Sequence, residues 1–411
     1  MSVSRRLVLA VIGRLREGRV EFVERGGSTA IGDPDAELVA RVEVRSPRAW
    51  RRLLRGSTGM AEGYMLREWD CDDLVALATI AGLNLRQLDG LRRRFRFLAW
   101  PVQRLGLLMP RTTRSRGRKQ IAAHYDLGND LFSLFLDESM NYSSAIFREG
   151  RTLESAQLAK MDQIAEQLDL GPGVHVLEIG SGWGGLSIHL ARRTGCRVTT
   201  TTISKEQAEL ARRRIREAGL EDQIEVIETD YRDLDGRYDR LVSIEMIEAV
   251  GWRDLPTYFR KCADLLEPHG RMVLQAITID DDAYELEKAS RSFISRYIFP
   301  GGCLPSVAEI ERCLAMTDLR IGWRDEIGVD YARTLAEWRR RFTLQTDRLE
   351  ELGYDDRFRR MWVLYLCVAE GGFRSGRNSD FQFRLDKPGA RSPQLDGSQE
   401  AGKAPAGTSS P

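Results

Sequence analysis

Between Val176 and Gly185 the chain reads Val-Leu-Glu-Ile-Gly-Ser-Gly-Trp-Gly-Gly, a buried strand that breaks into a glycine turn. Gly180, Gly182 and Gly184 let the backbone approach a ligand closely. The pattern from Leu186 to Arg193 predicts a helix whose first N–H groups face the same turn. Glu178 places a carboxylate beside it. A nucleotide-like ligand with a hydroxylated sugar suits this arrangement, and S-adenosylmethionine is the occupant it suits best. The spacing Gly180-x-Gly182-x-x-Gly185 also satisfies the dinucleotide fingerprint, which wants an acid at the tip of the second strand about 20 residues on. Here that strand, Arg197 to Ile203, is followed by Ser204, Lys205 and only then Glu206. Its tip carries no carboxylate, so NAD or FAD is the weaker reading.

The elements that must position this turn follow from periodicity. Strand patterns begin near Val174, Arg197, Ile224, Tyr238 and Gly270, with helical patterns such as Lys205 to Ala218 and Leu255 to Leu266 between them. That rhythm predicts a largely parallel sheet covered on both faces over residues 120–386. Residues 1–85 mix alternating runs (Arg19 to Glu24, Leu38 to Val44) with helical ones (Ala49 to Leu54, Leu74 to Leu83), a small α+β unit. Residues 387–411, rich in Gly, Ser, Pro and Ala, read as a disordered tail.

The 411 residues suffice for two domains, and 42% apolar with 30% charged residues is ordinary for a globular protein. The net charge of +1 hides an uneven distribution: residues 86–119 hold eleven Lys or Arg against one acid, with Phe95, Phe97 and Trp100 interleaved. Such a segment suits an anionic membrane surface; a solvated linker is the second reading, and nucleic acid, with no recognised binding module, the weakest. The six cysteines form no C-x-x-C pair, which argues against disulfides and against a metal site. Leu7 to Ile12 is the only apolar run near the N-terminus. It is too short to span a bilayer and lacks a clear cleavage site, so the expected location is cytoplasmic, peripheral at the inner face of the membrane. A homodimer is left open.

From about Ile121 to Lys387 the chain resembles the cyclopropane-fatty-acyl-phospholipid synthases. The motifs are His124-Tyr-Asp-Leu-Gly-Asn-Asp130, Met140-Asn-Tyr-Ser143, Leu177 to Gly185, Thr202-Ile-Ser-Lys-Glu-Gln207, Asp230-Tyr-Arg-Asp233, Glu248-Ala-Val-Gly251 and Tyr297 to Ser306; Gly63 to Asp70 resembles the family's leading domain. The resemblance implies a class I methyltransferase (Rossmann-like) seven-stranded sheet with helices on both faces. It implies cofactor contacts at Tyr142, Ser143, the Gly180–Gly184 turn, Thr202, Gln207, Asp230 and Tyr231. Thr202 and Gln207 could hydrogen-bond the ribose, and Asp230 could accept from the adenine amino group; a helix cap is the other reading of Asp230. The implied reaction adds a methyl from S-adenosylmethionine to the double bond of a phospholipid acyl chain and closes a cyclopropane as a methyl proton leaves. The implied base is a bicarbonate ion, held by Glu248 and Tyr331. A salt-bridged carboxylate facing a nearby Arg and a half-buried packing aromatic are the plainer readings of those two residues.

Three positions depart from the family pattern. Ser144 and Ala369 stand where it has cysteines, and Gln275 where it has histidine. Ser144 and Gln275 still offer hydrogen-bond donors to an anion, but neither titrates near neutral pH. Tyr142, Phe147, Tyr297, Phe299, Trp338 and Phe373 could face a cation, although any single one of them is more readily core. Lys160 to Leu168 and Leu335 to Phe342 could line an acyl groove. Methyl or methylene transfer without ring closure, N-methylation of a small amine and an inactive lipid-binding relative are the competing readings.

Overall fold

A computed structural model describes residues 3–13, 15–94, 128–147, 151–289 and 292–390. Most of the basic segment, from residue 95 on, and the tail from 391 lie outside the described residues. Among the described residues, eleven strands form two sheets: β1 Arg19–Glu24, β2 Gly27–Gly32, β3 Val39–Val44, β4 Trp69–Cys71, β5 His175–Ile179, β6 Arg197–Thr201, β7 Ile224–Ile227, β8 Tyr238–Ile244, β9 Leu266–Ile279, β10 Arg320–Glu326 and β11 Asn378–Asp386.

The larger sheet has the order β10-β11-β9-β8-β5-β6-β7. Strands β9, β8, β5, β6 and β7 run parallel, while β11 is antiparallel to both its neighbours. Alternation along the strands divides the core between two faces. Leu177 and Ile179 pack with Tyr258 and Phe259 of the helix Leu255–Asp264, whereas Val176 packs with Ile164, Leu168 and Leu190 on the other side. Each face is thus sealed by helices, as continuous apolar strands require. From β5 the chain steps outward to β6 and β7, then returns to lay β8 on the opposite side of β5. That reversal opens a crevice beyond the C-terminal ends of β5 and β8, where ligands of open α/β sheets bind.

Residues 19–71 build the second sheet, of order β2-β1-β3-β4. The boundary expected at residue 85 falls inside one helix, Leu74–Arg94, which crosses the helix Asp356–Arg374 at close range. Glycines permit this: a Cβ on Gly371 would come within 2.5 Å of Ala78 Cβ, and one on Gly82 within 2.7 Å of Ser375 Cβ. Arg360 fastens the same junction, its guanidinium 3.7 Å from the Tyr64 ring centroid and its Nε donating to Tyr64 O at 2.8 Å. One apolar cluster accordingly runs from Val20, Phe22 and Trp50 of the small unit to Phe132, Trp338, Trp362 and Phe373. The expected tail begins later than residue 387, because Lys387 donates to Gly270 O through its backbone and to Asp318 at 2.7 Å through its side chain.

Candidate active site

The turn after β5 opens into a cavity of about 1590 Å³ that continues into the small unit. Gly182 sits at φ +49°, and a Cβ built on it meets nothing within 4 Å. The space beside it is a cradle that a side chain would fill. Tyr142, Ser143, Glu178, Gly180, Thr202, Gln207, Asp230 and Tyr231 line the same cavity. Gly184 does not; its φ is +80° and a Cβ there would stand 3.3 Å from Ala211 Cβ. Its task is to let the turn pack against the helix Lys205–Glu217.

Glu178 is buried, and its Oε2 accepts from Thr200 Oγ1 at 2.5 Å and from Ser187. Burial pushes its carboxyl up to about 7 despite those donors. Thr202 Oγ1 donates to Gln207 Oε1 at 2.8 Å, and Ser204 caps the helix that carries Gln207. Asp230 caps a 3₁₀ turn through Arg232 N and binds the Arg232 guanidinium at 2.6 and 2.8 Å, and it also lines the cavity. These residues fit a nucleoside ligand: an open glycine cradle, hydroxyl and amide groups at the tip of β6, and an aromatic, Tyr231, beside the acid.

The expected anion ring closes differently from the sequence reading. Ser144 N donates at 2.8 Å, Gln275 Nε2 at 2.8 Å and Tyr331 Oη at 2.6 Å, all to the carboxylate of Glu245. Glu248 is not in the ring. Its Oε1 accepts from Ile277 N at 2.7 Å, and its Oε2 is buried with no partner among the described residues. Gln275 and Ser144 are themselves completely buried behind Glu245, while Glu245, Glu248 and Tyr331 face the cavity. Glu245 stands at the exit of β8 with φ +50°, a conformation that costs a non-glycine residue about 1–3 kcal/mol. That backbone strain turns its side chain into the donors.

A second carboxyl backs the first. Asp380 on β11 accepts from the other N–H of Gln275 at 2.9 Å and hydrogen-bonds Glu245, a contact that exists only if one of the two acids is protonated. Glu245 has three further donors and the nearby Lys160 ammonium, so the proton belongs on Asp380, whose burial raises its pKa well above the usual range. Burial also lifts Glu248 to about 8, with the Glu245 charge adding to it. Lys160 is buried, donates to Ser143 Oγ at 2.6 Å and is lowered to about 8 by burial. Bicarbonate does not fit these residues. Its expected donors, Ser144, Gln275 and Tyr331, are spent on the carboxyl group of Glu245.

Of the six aromatics considered, Tyr142, Phe299 and Phe373 line the cavity. Phe147 instead lies under Arg333, Tyr297 bonds Glu62 at 3.1 Å, and Trp338 is fully buried. Tyr365 joins the lining and bonds Tyr142 through their hydroxyls at 2.8 Å. Lys160 and Leu335, from the two amphipathic stretches, also line the cavity, and so does Ala369. Sequence reasoning missed Glu245, Asp380 and Tyr365. For Glu245 the signal was present: a charged residue directly after the apolar run Leu241-Val242-Ser243-Ile244, at the reversal of strand order.

Comparison with known proteins agrees with this geometry. The family model for mycolic acid cyclopropane synthetase matches residues 112–383. The chain is 39% identical over 375 residues to the tuberculostearic acid methyltransferase of Mycobacterium tuberculosis, covering 89% of this chain and 86% of the relative. It is 36% identical over 361 residues to the cyclopropane-fatty-acyl-phospholipid synthase of Escherichia coli K12, covering 86% and 89% respectively. A mycolic acid cyclopropane synthase solved with S-adenosylhomocysteine and CTAB superimposes with a TM-score of 0.61 at 29% identity, over 66% of this chain and 98% of that one. With the cradle at Gly182 and the seven-stranded sheet, these matches establish that the chain belongs to the mycolic acid cyclopropane synthetase family, S-adenosylmethionine-dependent methyltransferases of the class I fold.

Proposed function

We propose that this protein alkylates the double bond of an unsaturated phospholipid acyl chain and that Glu245 is the base. The observation that carries the reading is the side chain of Glu245, ringed by donors from Tyr331, Ser144 and Gln275 and facing the cavity onto which the glycine turn opens. S-adenosylmethionine, when bound, supplies an electrophilic methyl. Held at the Gly180–Gly182 turn beside Thr202, Gln207 and Asp230, it would give that methyl to the alkene pair, with the electrons of the broken S–C bond left on sulfur, and the neighbouring chain carbon would become cationic. Tyr142, Phe299, Tyr365 and Phe373 line the cavity, and a ring face turned to such a charge would contribute about 1–2 kcal/mol in a dry site. Glu245 then takes a proton from the transferred methyl, and the freed C–H pair closes on the cationic carbon as a cyclopropane. A hydride shift before proton loss would give a methylene branch instead.

The substrate class rests on size and polarity. The cavity exceeds the roughly 300–1,000 Å³ of a single small-molecule site. Beyond the acids it is walled by Leu53, Leu74, Leu77, Ile80, Leu335 and Leu364, which suits a long alkyl chain and not a soluble amine. The test is expression in a bacterial host that lacks such enzymes, with mass spectrometry of its fatty acids. A gain of one CH₂ on monounsaturated chains is expected, with ring or branch read from fragmentation. Unmodified chains, with the protein folded and bound to S-adenosylhomocysteine, would refute the proposal.

A further inference from the structure

The leading helix Val3–Ile12 has a wider apolar arc than the small unit covers. Val8 is buried, and Leu9 and Ile12 pack against the core. Val3, Leu7 and Val11, spaced i, i+4 and i+8 on the adjoining face, are 65%, 52% and 73% exposed. Exposed valine and leucine along one helical stripe have no folding rationale and mark a contact surface. The helix packs beside the short helix Arg48–Leu53, which is followed by Leu54, itself 51% exposed.

This surface lies at the rim of the catalytic cavity. Val8, Val11, Ile12 and Leu15 line the cavity on one side of the rim, and Leu53, Arg55 and Ser57 on the other. The rim is also positively charged. Arg6, Arg48, Arg51 and Arg55 are exposed, and Arg52, Arg55 and Arg296 share the two carboxylates of Glu62 and Glu68, leaving cationic charge in excess. An apolar stripe set among arginines at the mouth of an apolar cavity has the chemistry of an anionic lipid surface, where aliphatic side chains enter the acyl boundary and guanidinium groups meet phosphate.

We propose that the stripe Val3–Leu7–Val11, with Leu54, docks the protein on an anionic phospholipid bilayer and that the acyl chain enters the cavity at this rim. The inference rests on the reading of the cavity as an acyl site. It places docking on the small unit, independently of the basic segment 86–119.

Full-length wild type and the triple variant Val3→Gln/Leu7→Gln/Leu54→Gln would be sedimented with palmitoyl-oleoyl-phosphatidylglycerol and with palmitoyl-oleoyl-phosphatidylcholine vesicles. Turnover of the anionic lipid would be measured both in vesicles and in detergent micelles. None of the three residues lines the cavity, and all three are exposed, so folding and chemistry are preserved. The expected result is preference of wild type for anionic vesicles and a loss of vesicle affinity in the variant of about tenfold or more, about 1.4 kcal/mol. Vesicle turnover falls with it, while micelle turnover stays unchanged. Wild-type vesicle binding by the variant overturns the proposal. So does a wild-type dimer, seen by light scattering, that the variant dissociates, since the stripe would then cover a second copy of the chain. Stripe-dependent vesicle binding with no turnover of any lipid would support the docking face while refuting the functional reading.

Discussion

The paired variants Glu245→Gln and Glu248→Gln separate the two carboxylates that compete for the role of base. In Glu245→Gln the amide oxygen can keep the bonds from Ser144 N and Gln275 Nε2, and the Tyr331 hydroxyl can turn to accept from the new NH₂. Fold and cofactor affinity are therefore retained while the proton acceptor is gone. Losing a positioned general base costs about 10²–10⁴-fold in rate, or about 3–5 kcal/mol of barrier. Glu248 differs. With its carboxyl raised to about 8 it is largely protonated at neutral pH, and glutamine is a close isostere of that form. The bond from Ile277 N survives the change. The cost should stay within about a factor of ten, because a neutral hydrogen bond is worth about 1 kcal/mol. The assay is initial-rate release of S-adenosylhomocysteine with unsaturated phosphatidylglycerol, beside calorimetry of S-adenosylhomocysteine binding to each variant. A nearly inactive Glu248→Gln beside an active Glu245→Gln would refute the argument and return the base to the position expected from sequence. Wild-type activity that falls reversibly when bicarbonate is removed would refute it too.

Four further outcomes follow from the same geometry. Gly182→Val should abolish S-adenosylhomocysteine binding by calorimetry, because the space beside Gly182 is open and a branched side chain would occupy it; binding of NADH in its place would contradict the cofactor assignment. Gln275→His should lower the rate and not raise it: Gln275 gives one N–H to Glu245 and another to Asp380 while accepting from Gln382 at 2.9 Å, and an imidazole cannot serve all three. Lys160→Met removes the charge that favours ionised Glu245, so the acid limb of the kcat/KM profile, already above the ordinary glutamate value of 4.5, should move to higher pH with the alkaline side little changed. For Glu248 the folded pKa of about 8 exceeds the ordinary 4.5, so the folded state holds a proton that the unfolded chain releases between those values. Stability is then greatest below 4.5 and declines as pH rises through 8, by up to about 1.4 kcal/mol per pH unit from this group, and Glu248→Gln should flatten the denaturation midpoint against pH by one proton.

Sequence alone determined the cofactor turn and the sheet that carries it. Glycine spacing, an acid-free second strand and apolar runs at regular intervals are local properties, and each is fixed by backbone conformation or by period. The parallel strands β5 to β9 were legible for that reason. Strands β10 and β11 were not, because Arg320–Glu326 and Asn378–Asp386 are rich in charge and take their place by pairing across long separations. The site divided along the same line. Tyr331, Ser144 and Gln275 stand together around one carboxyl group, and which one they surround depended on a positive φ at Glu245 and on β11 bringing Asp380 to the far side of Gln275. Residues 245 and 248 are three apart, on a chain leaving a strand, and no periodicity says which of the two side chains turns toward the donors. Tertiary structure decided it, because a buried carboxylate stays ionised only where enough donors converge on it, and those donors come from four separate segments of the chain.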